Sequence, residues 1–307
     1  MLSVSESLLS KWISAEVDTS GHNNKPLWIE SAWLDYDGTL FGWYHHEPAK
    51  VCSAGSGLTA PKIGAVVSYD GGQSVQDLGI ILEAGRAPDC NAQNGFFAGG
   101  HGDFSVVLDR QRRYFYFFFT NYSGPVEEQG VVVARMAYKD RLNPVGSVYK
   151  YYRGKWEEPG IGGFTTPLFP ARTAWQREDA DSFWGPAVHW NRYLRQYVML
   201  LNRSCCSKGW PQEGIYIAYG TDPWDLLKWK SPSKILERDE LPVMPGYYPQ
   251  IFGLRDGDTD SFAGRYVRLF VHGVSVWQME FAYADGSEPP PDEETPPGLA
   301  LPVEPDQ

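Results

Sequence analysis

The chain has no apolar run of transmembrane length, so no segment reads as a membrane-spanning helix. It has no basic excess either: 27 Lys and Arg stand against 38 Asp and Glu, a formal charge of −11. That excludes the electropositive footprint of a nucleic-acid-binding surface. Cysteine is scarce. The four residues Cys52, Cys90, Cys205 and Cys206 show no C-x-x-C spacing, which argues against a zinc site or a thioredoxin-like pair. Cys205 and Cys206 are chain neighbours, a poor geometry for a mutual disulfide, and the count leaves the compartment open. No H-E-x-x-H or comparable metal spacing is present. Strong helix signals are nearly absent; the best candidates are residues 5–12 and the PWDLL turn at 223–227. The N-terminal MLSVSESLLSKWISAEV carries acids and lacks a sustained apolar core, so it does not read as a secretory signal. As written the chain reads as cytoplasmic; a truncated start would leave secretion open.

Aromatic residues are abundant at 15%, with 12 Trp and 18 Tyr. Such residues suit strands through β-propensity alone, and their faces also suit sugar rings. The last 21 residues carry six acids, seven prolines and no Lys or Arg. Residues 288–307 therefore read as a solvated tail, and 1–287 as one domain.

Four segments share one pattern. They are SAWLDYDGTLFGWYHHEP with PKIGAVVSYDGG, FSVVLDRQRRYFYFFFTNY with QGVVVARMAYKD, GPAVHWNRYLRQYVMLLNR with EGIYIAYGTD, and YPQIFGLRDGDTDSFAGRYVRLFVHG with SVWQMEFAYADG. Each holds two strands joined by a polar turn, then a loop and a third alternating strand. The third strands end at Asp70, Asp140, Asp222 and Asp285, spaced by 70, 82 and 63 residues. A fourth strand follows in SVQDLGIILE and LLKWKSPSKIL. Repeated units of three or four antiparallel strands predict an all-β fold, a β-propeller. Five blades are expected if residues 1–27 and 281–287 combine into a fifth; four is the alternative. Ser68-Tyr69-Asp70-Gly71-Gly72-Gln73-Ser74-Val75 nearly matches the Asp-box turn S-x-D-x-G-x-T-W of sialidase-like propellers, a structural turn with no catalytic meaning.

In a propeller, residues just before the first strands and in the second-to-third loops converge on the axial funnel. These positions yield Trp28, Glu30, His101, Asp103, Trp184, Tyr248, Gln250, Arg203 and Glu213 as candidates. His189 is added as a hydroxyl-binding candidate from the third unit. His45 and His46 lie on opposite faces of one strand, and His46 is taken as the one facing the pocket. Gly99, Gly100 and Gly102 let the chain bend into the funnel around Asp103.

The blade pattern, the Asp-box-like turn and the axial carboxylates resemble the five-bladed glycoside hydrolases, the arabinanases, β-xylosidases and fructosidases; the chain also resembles bacterial propeller proteins of that kind. The resemblance covers residues 28–285 and implies hydrolysis of an oligo- or polysaccharide by acids from the starts of the first three blades. By position Glu30 matches the general base and Asp103 the tuning carboxylate. In that group a Glu precedes Gly-Pro in blade three; here Trp184 precedes Gly185-Pro186. A replacement acid would come from Glu213, Asp181 or Asp179, with Glu213 preferred. Trp28, Trp184 and Tyr248 would stack on sugar faces, while His46, His101, His189, Arg203 and Gln250 would bind hydroxyls. No cofactor is required, although an axial Ca²⁺ is compatible with such folds. The alternative is a carbohydrate-binding propeller without turnover, motivated by Trp184.

Overall fold

The computed structural model describes residues 27–49, 51–52, 57–223, 225 and 228–283. The helix expected at 5–12, most of the PWDLL turn, the tail at 288–307, residues 1–26 and residues 284–287 of the two segments assigned to a fifth blade lie outside these residues. Among the described residues the β-propeller has four sheets.

Blade one runs β1 (Leu27–Leu34), β2 (Leu40–His46), β3 (Lys62–Ser68) and β4 (Gln76–Leu82) in that spatial order. Blade two runs β5 (His101–Leu108), β6 (Tyr114–Asn121), β7 (Gly130–Ala137), β8 (Val148–Tyr152) and β9 (Lys155–Pro159), with β10 (Phe169–Pro170) paired to β7. Blade three holds β11 (Ser182–Asn191), β12 (Gln196–Ser204), β13 (Gln212–Gly220) and β14 (Ser233–Glu237). Blade four begins with β15 (Gln250–Gly253); the short β16 (Phe262–Ala263) crosses to pair with β11, and β17 (Tyr266–Val271) and β18 (Val274–Glu280) complete the blade. No helix among the described residues is long and apolar enough to cross a membrane.

Strand alternation builds the core between blades. In β6, Phe115, Phe117 and Phe119 pack into a cluster with Trp43, Ile63 and Val67 of blade one. The intervening Tyr116 and Phe118 pack with Met199 and Leu201 of blade three. In β12, Val198 and Leu200 turn the other way, onto Ile251 and Leu269 of blade four. Successive side chains point to opposite faces of a strand, and a strand between two blades has no solvent face. Its sequence is therefore apolar at nearly every position, as YFYFFFTN is.

Polar groups tie the blades as well. Lys150 is fully buried and donates to the Glu83 and Gly163 carbonyls at 2.6 and 2.9 Å, and burial pulls its pKa down to about 7. The buried Asp35 of blade one accepts from the Tyr138 hydroxyl at 2.9 Å and pairs with Arg141 at 3.1 Å. The Asp-box-like turn forms as expected: Asp70 accepts the Ser74 amide and hydroxyl at 2.9 and 2.6 Å. Hydrogen bonds from Ser74 hold its pKa down to about 2.

Both cysteine pairs are closed. Cys52–Cys90 has a Cα separation of 5.6 Å. Contrary to expectation, Cys205 and Cys206 are bonded to each other. The positive φ of +130° at Cys206 turns the backbone away from the extended path that would hold neighbouring side chains apart.

Replacing Phe117 by Ala should cost about 3–5 kcal/mol, the range for a large aromatic removed from a packed core. Urea denaturation of the variant against the parent chain checks it.

Candidate functional site

Three innermost strands carry a β-bulge at the same place. In β1 the register slips between Ile29 and Ser31, leaving Glu30 as the extra residue. In β5 it slips between Gly102 and Phe104, leaving Asp103, whose φ is +46°. In β11 it slips between Trp184 and Ala187, leaving Gly185 and Pro186. A bulge re-aims the side chain of its extra residue. Here two bulges send carboxylates into one cavity of about 700 Å³ lined by residues of all four blades.

Glu30 Oε2 accepts the Phe104 amide at 2.8 Å, and Oε1 lies 3.1 Å from His45 Nδ1. His45 Nε2 lies 3.3 Å from Glu47 Oε1, close enough for charge attraction though not aligned as a hydrogen bond. Burial disfavours charge on His45, but Glu30, Glu47 and Asp103 outweigh it and push its pKa up to about 10. The ring is an imidazolium, so Nδ1 donates to Glu30. The Asp103 amide, 3.3 Å from the same nitrogen, then has no lone pair to use there.

Asp103 is buried. Tyr122 donates its hydroxyl to Oδ2, and Tyr248 also hydrogen-bonds the carboxyl. Burial raises the Asp103 pKa to about 6; His45 opposes the rise and the Glu30 charge adds to it. Asp103 in turn raises the Tyr248 pKa, with burial adding to the effect.

The walls are aromatic. Trp28, Phe96 and Tyr248 line the cavity and stay 50%, 45% and 52% exposed. Trp184 is 4% exposed and stands edge-on to Tyr247 and Tyr248 at ring distances of 5.0 and 5.7 Å. It forms floor rather than an open stacking face. The loop bearing Phe96 and Phe97 is bound to Thr59 by backbone hydrogen bonds of 3.0 and 2.7 Å. The Cys52–Cys90 bond staples the same two loops together.

Of the residues singled out in the sequence, Trp28, Glu30, Asp103, Trp184, Tyr248 and Gln250 line this cavity. Glu213 does not. Its carboxylate is held by Lys234 and the Tyr216 hydroxyl, with Arg203 3.9 Å away. Burial raises its pKa, but Lys234 and Tyr216 outweigh this and lower it overall. Glu213 is the extra residue of a bulge where β12 and β13 pair, between Gly214 opposite Arg203 and Gln212 opposite Ser204, and its side chain goes to Lys234 and Tyr216 while Gln212 donates to Asn202. Asp181 is paired with Arg203 and Asp179 with Arg177, both outside the cavity. Arg203 is thereby removed as a hydroxyl binder.

The histidines also differ from expectation. The one facing the cavity is His45, opposite Trp28 in the β1–β2 register, while His46 is buried away from it. His101 is buried against Phe119 at 4.8 Å, and burial drops its pKa well below the usual value. His189 is buried near Phe281, its pKa lowered to about 3 by burial. Both are core residues. Tyr122 and Asp260 are the residues not anticipated; Asp260 lines the cavity, as do His45 and Glu47.

One donor atom each from Glu30, His45 and Asp103 falls within 4.8 Å of the others. The set does not suit Ca²⁺, which takes six to eight oxygens. It offers two carboxylates and one imidazole nitrogen, and the carboxylates already accept hydrogen bonds from the Phe104 amide and the Tyr122 hydroxyl.

No family model matches the chain, and no curated protein matches it. Among solved structures it is similar to an endo-arabinase from Bacteroides thetaiotaomicron (13% identity, 83% of this chain and 75% of that chain, TM-score 0.44). It is also similar to a thermostable family-43 glycoside hydrolase (14%, 87% and 76%, TM-score 0.47). A third is the α-L-arabinanase of Cellvibrio cellulosa (12%, 85% and 76%, TM-score 0.48). These are distant likenesses of architecture.

The Asp103 pKa makes a stability prediction. Raised in the folded chain from 3.8 to about 6, it disfavours the native state once the carboxyl ionises. The penalty is absent below pH 4 and complete above pH 6–7. Asp103→Asn, which tolerates the positive φ, should therefore gain about 2–3 kcal/mol over the parent at pH 8 relative to pH 4. Denaturant titrations at the two pH values check it.

Proposed function

We propose that this chain hydrolyses glycosides, binding a neutral sugar in the axial cavity. The observation that carries the reading is the convergence of Glu30 and Asp103, from adjacent inner strands, on one imidazolium inside a cavity walled by aromatic rings. Exposed faces of Trp28 and Tyr248 suit the C–H faces of a pyranose or furanose. No Lys or Arg is among the described lining residues, while Glu30, Glu47, Asp103 and Asp260 are. Such a cavity repels uronates and sulfated sugars and favours neutral ones.

In this reading Glu30 is the carboxylate that takes a proton from the attacking water. The Phe104 amide and His45 fix its two oxygens, so its rotamer is set before substrate arrives. Asp103 is a positioning residue that acts through His45: its charge helps keep the imidazolium protonated, and the imidazolium orients Glu30. A second reading, a sugar-binding propeller without turnover, is favoured by one feature. The blade-three bulge carries Gly185 and Pro186 and no carboxylate.

Glu30→Gln should lower kcat ~10²–10⁴-fold, the range for losing a general base, while leaving sugar affinity within a few-fold. Hydrolysis of a panel of aryl glycosides and oligosaccharides, with tryptophan fluorescence to follow binding, separates the readings. Binding without turnover by the parent chain would establish the second.

A further inference from the structure

We infer that Asp260 is the proton donor to the leaving group, an inference that rests on the glycosidase reading above. Cleaving a glycosidic bond takes a second carboxyl group to protonate the departing oxygen. Four carboxyl groups line the cavity among the described residues: Glu30, Glu47, Asp103 and Asp260. Glu30 is committed as base. Glu47 is paired with the far nitrogen of His45 at 3.3 Å. Asp103 has its oxygens engaged by Tyr122 and Tyr248. Asp260 alone of the four stands apart from the His45 cluster and comes from the fourth blade.

Its position is built. Gln250 Nε2 donates to Asp260 Oδ2 at 2.9 Å. The following residue, Ser261, is fixed on both sides: its carbonyl accepts the Trp190 amide at 2.9 Å and its amide donates to Thr259 Oγ1 at 3.2 Å. Asp260 keeps part of its surface open to the cavity, yet protein surrounds it closely enough that burial raises its pKa. Hydrogen bonds from its own backbone, Ser261 and Gln250 offset only part of that rise. A carboxyl group so placed holds its proton to higher pH than an exposed one.

The step balances as follows. Water adds its oxygen to the anomeric carbon and gives a proton to Glu30. The bond from that carbon to the leaving oxygen breaks, its electron pair staying on the oxygen, which takes the Asp260 proton. A sugar hemiacetal and an alcohol are released. Glu30 then loses one proton to solvent and Asp260 regains one.

The test compares leaving groups, using the sugar on which the parent chain acts fastest. Asp260→Asn should lose ~10²–10⁴-fold on the methyl glycoside, the range for general acid catalysis, but less than ~10-fold on the 2,4-dinitrophenyl glycoside, whose leaving group departs without a proton. The alkaline limb of its kcat/KM profile should disappear. Asp260→Glu should restore part of the methyl glycoside activity, and Glu213→Gln, outside the cavity, should match the parent. Equal losses on both substrates, or none on either, overturn the donor role while leaving the glycosidase reading intact. A parent chain that cleaves no glycoside overturns both.

Discussion

The innermost strands β1, β5 and β15 have a ladder partner on one side only, and β11 gains a second only at Trp190 and Asn191, from β16; the remaining free amides face neighbouring blades. An amide left without a partner there costs about 1–3 kcal/mol, whereas a made hydrogen bond contributes about 0.5–1.5. The neighbouring inner strand supplies the acceptors. Glu30 and Ser31 of β1 accept the Phe104 and Val106 amides of β5, at 2.8 and 3.2 Å. Ser105 of β5 accepts the Val188 amide of β11 at 3.0 Å. Much of the site follows from this stitching. Glu30 is at once a blade-to-blade fastener and the carboxylate at the cavity wall, so its orientation is fixed by strands rather than by a loop.

The charges at the centre are balanced against burial. Isolated, either Asp103 or His45 would be driven towards its neutral form. Together with Glu30 and Glu47 they hold one another: the imidazolium survives burial because three carboxyl groups surround it, and Asp103 remains ionisable near neutrality because the imidazolium is beside it. Breaking such a buried set by removing one member is costlier than the set's net contribution to stability. The cluster therefore favours one arrangement of β1, β2 and β5 over alternatives, and the positive φ at Asp103 is tolerated within it.

How much of this was legible depended on whether a feature belongs to one strand or to a pair. Blades were legible because alternation and turn chemistry are written in single strands, as in YFYFFFTN. Glu30 and Asp103 were legible because charges before apolar strands are conspicuous. The bulges were not, since register is a property of two strands. Their absence from the reading explains the exchange of His46 for His45: with period two, one slipped residue inverts every face. Glu213 was misplaced for the same reason: β13 begins at Gln212 where a loop was expected, and Glu213 is the extra residue of a bulge in its pairing with β12. Asp260 was hidden in DGDTDS, a run that reads as an exposed turn and becomes cavity wall only when β16 crosses to β11.

The blade-three bulge has no room for a side chain at Gly185. A side chain at Gly185 would need a Cβ 2.5 Å from Asn202 Nδ2, with φ at +56°. Asn202 is not free to yield. Its Nδ2 donates to the Trp184 carbonyl at 3.3 Å, and its Oδ1 accepts both Gln212 at 2.8 Å and the Tyr248 amide at 3.0 Å. Displacing it would unseat Tyr248, which caps Asp103. Trp184, one residue earlier, is packed edge-on against Tyr247 and Tyr248 and holds the same corner from below. Blade three thus contributes shape, not charge, to the cavity.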